Sequence, residues 1–118
     1  MILYIDGCDE EALEMAQKYR IGITTNPTII LRDRKGSNLL DALKEILKYD
    51  IEEIFFQIGE DEKFLEKLRD LPKERIIIKL SWYEKTFKIH DMSKKLGFKT
   101  CATAVYEERQ LITAIMKG

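Results

Sequence analysis

The segment RIIIKLSW, Arg75–Trp82, ends an apolar run on a lysine, Lys79. An amine there has two readings. It can snorkel, with its stem packed on Ile77 and its charge in water. Alternatively, apolar neighbours desolvate it, and burial disfavours the charged form and lowers a lysine pKa. The neutral amine is the species that attacks a carbonyl to form a Schiff base. Other apolar runs in the chain also close on polar groups: Asp6 after ILYI, then Thr24, Thr25 and Asn26 after IGI, Gln57 after IFF, and Thr103 after KTCA. Period-two alternation puts Lys79 on the face of Ile77 and Gln57 on the face of Phe55. A carboxylate, an amine and neutral hydrogen-bonding side chains on one rim are the parts a carbonyl enzyme needs. Strand ends are also polar by default, so the rim alone defines a candidate. No metal cluster competes for these positions. His90 is the one histidine and falls in a helical stretch, and Cys8 and Cys101 make neither a zinc site nor a disulfide framework.

The elements that must position these groups alternate along the chain. Strands are expected at Ile2–Asp6, Ile21–Asn26, Glu52–Gly59, Arg75–Leu80 and Lys99–Val105. Five amphipathic helices are expected between and after them. The first starts at Asp9, a plausible N-cap followed by acidic residues. The second carries Leu39, Leu40, Leu43, Ile46 and Leu47 at helical spacing behind Ser37 or Asn38. The third covers DEKFLEKLRDL, and the fourth spans roughly residues 83–96 and is closed by Gly97. The last is YEERQLITAIMKG. Pro27 is read as the stop of the second strand. LRDRKGS, with Arg32, Arg34 and Lys35, reads as a solvated loop, and His90 as a helix-surface or helix–helix residue.

Strict alternation of strand and helix, with continuous apolar strands, implies an α/β fold with a parallel sheet. One domain over residues 1–118 is expected. Two architectures fit: a flavodoxin-like doubly wound sheet, or a partial (β/α)8 TIM barrel, whose complete form needs about 250 residues. A receiver-type phosphorelay domain is excluded, because its pattern puts an aspartate where Gln57 stands and a lysine where Thr103 stands. Net charge is −1, with 20 basic and 21 acidic residues. That balance provides no footprint for nucleic acid or an anionic membrane surface. The apolar runs are too short to span a bilayer, and MILYIDG lacks the features of a signal peptide. A cytoplasmic protein is expected. The aromatic residues, Trp82 among them, read as packing groups rather than a stacking platform.

ILYIDG, GITTNPTII, FFQI, IIIKLSW and TAVYEERQ, in that order and spacing, resemble the transaldolase family, particularly its fructose-6-phosphate aldolase-like branch. The resemblance runs the length of the chain. It implies a (β/α)8 barrel and a class I aldolase that needs no metal or other cofactor. On this resemblance Lys79 is the Schiff-base lysine and Asp6 the proton shuttle. Asn26, with Thr25 beside it, holds substrate. Gln57 and Thr103 bind the catalytic water. Glutamine at 57, where transaldolases usually carry glutamate, leans toward aldol cleavage or addition over transfer of a dihydroxyacetone unit. KLSW departs from the small branch, which has proline there.

The implied substrates are sugar phosphates such as fructose 6-phosphate, or small hydroxyketones. The chain reaches AIMKG before the family's sixth strand, so three βα units are expected to be missing and sheet edges to be exposed. A homo-oligomer is therefore expected. The alternative is a noncatalytic relative that serves as an assembly or small-molecule-binding protein with an inherited polar rim.

Overall fold

The computed structural model describes residues 3–118. Ile2, expected to open the first strand, lies outside the described residues. The fold is α/β, with a five-stranded parallel sheet in the order β1-β2-β3-β4-β5. Its strands are β1 Tyr4–Asp6, β2 Gly22–Thr24, β3 Ile54–Gln57, β4 Ile76–Ser81 and β5 Lys99–Thr103. The helices are α1 Glu10–Tyr19, α2 Pro27–Asp33, α3 Leu39–Leu47, α4 Glu62–Lys67, α5 Glu84–Lys95 and α6 Glu108–Lys117. Two compact units are distinguished. One runs to Phe56 and includes Glu74–Ile76; the other comprises Gln57–Lys73 and Ile77–Gly118.

In the first unit, Ile23 pairs in register with Ile5 on one side and Ile54 on the other. Alternation then sends Tyr4, Asp6, Gly22, Thr24 and Phe55 to the opposite face. Gly22 is required here, because a Cβ would lie 2.5 Å from the Tyr4 ring. That ring crosses the glycine and meets Phe55 edge-on at 5.1 Å. The Asp9 carboxylate caps α1 by accepting from the Ala12 amide at 2.8 Å, and Leu13 and Ala16 bury its inner stripe. Asn38, rather than Ser37, caps α3, which buries Ala42, Leu43 and Ile46. Arg75 secures the turn after α3. Its guanidinium donates to the carbonyls of Ile51 at 2.8 Å, Leu47 at 3.1 Å, and Tyr49. These carbonyls lie at and just beyond a helix C-terminus, where acceptors lack helical partners.

Two expectations are corrected in this unit. Pro27 does not merely stop β2; it opens α2, so the described residues form six helices rather than five. Proline suits the first helical position because its missing N–H would be unpaired there anyway, and the Asn26 side chain caps the same end. Nor is LRDRKGS a solvated loop, because its first residues end α2, and Asp33 and Arg34 clamp Cys8.

In the second unit, β4 and β5 pair in parallel from Ile77↔Lys99 to Ser81↔Thr103. Ile78 and Leu80 are fully buried, while Lys79 and Ser81 on the other face are half-buried. Helix α5 packs on β5 and α4 and ends at Gly97, whose φ of +96° favours glycine. His90 is not a surface residue. It is 3% exposed and lies edge-on to Trp82 at 5.3 Å, just past the end of β4. No described helix is long and apolar enough to cross a membrane.

Candidate functional site

Within the first unit, Asp6 stands exposed at the end of β1. Its Oδ1 accepts from the Thr24 hydroxyl at 2.8 Å, and Thr24 is its register partner on β2. That bond fixes one carboxylate oxygen and leaves the group accessible to solvent. Thr25 is fully buried, and its hydroxyl donates to the Phe55 carbonyl at 2.7 Å. Asn26 accepts from the Ile29 amide at 2.8 Å through its side-chain oxygen.

The backbone beyond Asp6 is held from both sides. The Asp33 carboxylate accepts the Cys8 amide at 2.8 Å, and Arg34 Nε donates to the Cys8 carbonyl at 2.8 Å. Arg32 grips Asp33 through two nitrogens, at 2.6 and 3.0 Å. The Arg32 hydrogen bond, aided by the Cys8 amide, holds the Asp33 carboxyl below its ordinary value against the opposing effect of burial. Burial, reinforced by the charge of Asp33, pushes the Cys8 thiol up to about 11. A thiol in that state is a packing group and a poor nucleophile.

In the second unit, Lys79 is half-buried on β4, two residues after nearly buried Ile77. Its carbonyl takes the Ile58 amide at 3.1 Å, which locks the strand on that side. Across the ladder Lys79 stands opposite Cys101, and Ser81 opposite Thr103. Gln57 Nε2 donates to Ser81 Oγ at 3.2 Å. Gln57, Lys79 and Thr103 are thus brought to one face, with Ser81 hydrogen-bonded to Gln57 and in register with Thr103. Sequence reading ended β4 at Leu80 and so missed Ser81, although its position two after Lys79 is a period-two signal. Thr86, at the start of α5, holds the Ser81 carbonyl at 2.7 Å.

Gln110 is a second residue that sequence reading missed. Its Nε2 donates to the carbonyls of Trp82 at 2.7 Å and Ala104 at 3.2 Å. Its Oε1 accepts the amides of Tyr106 at 2.8 Å and Glu107 at 3.0 Å. One side chain thereby satisfies four backbone groups where β4 and β5 leave the sheet. It steadies Ala104, whose φ of 56° is left-handed and costs an alanine about 1 kcal/mol. That strain directly follows Thr103.

Two grooves lie apart from Asp6, Gln57, Lys79 and Thr103, although the one in the second unit borders Gln110. A groove of about 370 Å³ in the first unit opens at the strand starts, among Tyr4, Gly22 and Glu53, the opposite end from Asp6. Another, of about 600 Å³ in the second, is lined by Trp82, Phe87 and Tyr106 and not by Lys79. In parallel α/β sheets ligands bind at the carboxyl ends of the strands, so the polar strand ends remain the stronger candidate. The chain matches no protein-family model, and a search of curated proteins finds no match. The resemblance to transaldolases therefore rests on the five quoted motifs.

Proposed function

We propose that this chain is a Schiff-base aldolase or transaldolase-like protein acting on sugar phosphates or small hydroxyketones. The scaffold proposed is part of a (β/α)8 barrel. Sequential strand order supports it over the doubly wound alternative, which reverses order at a switch point. The observation that carries the proposal is the half-buried Lys79 sharing a sheet face with Gln57 and Thr103. In this reading the Lys79 amine attacks the ketone and water leaves, giving an iminium. A base takes the proton of the hydroxyl on the far carbon of the scissile bond. That bond breaks, its electron pair moves into an enamine, and an aldehyde departs. The resemblance gives the proton step to Asp6, the water to Gln57 and Thr103, and substrate contacts to Asn26 and Thr25.

Incubation with dihydroxyacetone or fructose 6-phosphate and borohydride, followed by peptide mass spectrometry, tests the proposal. A reduced adduct on Lys79, absent in Lys79→Met, is expected. The proposal fails if neither substrate marks Lys79 or if adducts scatter over surface lysines.

A second reading, a noncatalytic assembly module, is favoured by α6, along which Leu111, Ile112, Ile115 and Met116 are half to four-fifths exposed. Apolar exposure of that kind supports self-association, which light scattering after size exclusion would register as a mass above one chain. The two readings part on the adduct, because only the first requires one.

A further inference from the structure

We propose that Ser81 is a positioning residue for the Schiff-base chemistry: it fixes the Gln57 amide so that a water is held for the iminium carbon on Lys79. The inference rests on the function proposed above and adds a residue that neither the motifs nor the resemblance assigns. Three observations carry it. Gln57 Nε2 donates to Ser81 Oγ at 3.2 Å, so the orientation of the amide is set by a side chain of β4. Ser81 lies two residues after Lys79 on the same strand, so the two side chains leave the same face, about 7 Å apart along it. Ser81 also stands in register with Thr103. Ser81 and Thr103 therefore stand level with each other one step beyond the lysine, and Gln57, level with Lys79 on β3, reaches diagonally to Ser81.

None of Gln57, Ser81 and Thr103 can serve as a general base at neutral pH, but together they can hold a water. With one N–H given to Ser81, the Gln57 amide presents its Oε1 as an acceptor in a defined direction. The Ser81 hydroxyl accepts from Gln57, so its own proton can be donated to the same water. Without Ser81 the amide can rotate, and the water loses both its direction and one donor. In hydrolysis the water oxygen bonds to the iminium carbon and the C=N π pair returns to nitrogen. The C–N bond then breaks as the ketone forms, and both water protons finish on the lysine nitrogen. Ser81 touches neither carbon nor nitrogen in this scheme and acts through Gln57 and the water.

The test uses the full chain loaded with dihydroxyacetone. Ketone is removed, and aliquots are reduced with borohydride over time. The decay of reducible adduct on Lys79 measures iminium hydrolysis. Ser81→Ala and Ser81→Val are expected to slow that decay about tenfold, the worth of one hydrogen bond, and Ser81→Thr, which keeps the hydroxyl, to restore it. A purely structural serine would lower thermal stability and leave the decay of the folded protein unchanged. The Gln57 side-chain amide resonances should shift in Ser81→Ala and return in Ser81→Thr. An unchanged decay in Ser81→Ala beside a clear wild-type adduct overturns this inference and leaves the function standing. No adduct in the wild type overturns both.

Discussion

Replacing Asp33 with asparagine tests how the backbone beyond Asp6 is held. Two interactions meet at this carboxylate, and they differ in worth. Arg32 is 61% exposed in its side chain, so its ion pair is screened and contributes about 0–1 kcal/mol. The Cys8 amide is different. Cys8 is fully buried, and a charge-assisted bond to such a donor contributes about 1.5–3 kcal/mol. Asparagine keeps one acceptor oxygen, but its amino group must then face either the Cys8 amide or the Arg32 nitrogens, all of them donors. A loss of about 2 kcal/mol is expected, carried mainly by Cys8. For a chain of this size that lowers the melting temperature by about 8 °C. Acid supplies a second check. The Asp33 carboxyl titrates below its ordinary value, chiefly because of the Arg32 hydrogen bond. A group depressed on folding stabilises above its unfolded pKa of about 4, and that stabilisation drains away as pH falls through the folded value. Urea unfolding of both proteins should therefore show the full gap at pH 7 and a closing gap on acidification. At pH 7 the gap should persist in 1 M salt, where the Debye length is about 3 Å. A gap that collapses in 1 M salt would assign the effect to the exposed pair and refute the reasoning from Cys8.

Arg75→Met keeps the aliphatic stem but strips the donors from three carbonyls after α3. Water can reach some of these groups, so a cost of about 2–4 kcal/mol by urea unfolding is expected, with Arg75→Lys recovering part of it; a neutral effect would mean that the turn is held by other contacts. Cys8, with its thiol pushed up to about 11 by burial, should resist a thiol-reactive dye at pH 8 until denaturant is added. Half-buried Cys101 should label first, and rapid native labelling of Cys8 would contradict the closed packing at the end of β1.

The succession of the strands and of every helix but α2, and the face on which Lys79 and Gln57 sit, are legible in the amino-acid sequence. So are the caps at Asp9 and Gly97. These features depend on residues a few positions apart: strand alternation, helical spacing and the geometry of a single turn. Pro27 was misread because one local signal serves two ends; a proline can stop a strand and open a helix at the same place. The burial of His90 against Trp82 was not legible, because no local pattern in α5 reports what lies beside it.

What only the tertiary structure decided are the partners. Gln57 meets Ser81 across 24 residues, Cys8 meets Asp33 across 25, and Gln110 reaches Trp82 across 28. Alternation tells which face a side chain leaves, but strand register decides which side chain stands beside it. A slip of one residue would exchange every neighbour while leaving the local pattern of each strand unchanged. The amine was therefore visible in the sequence, and the hydroxyl and amide groups beside it became visible only once β3, β4 and β5 were aligned.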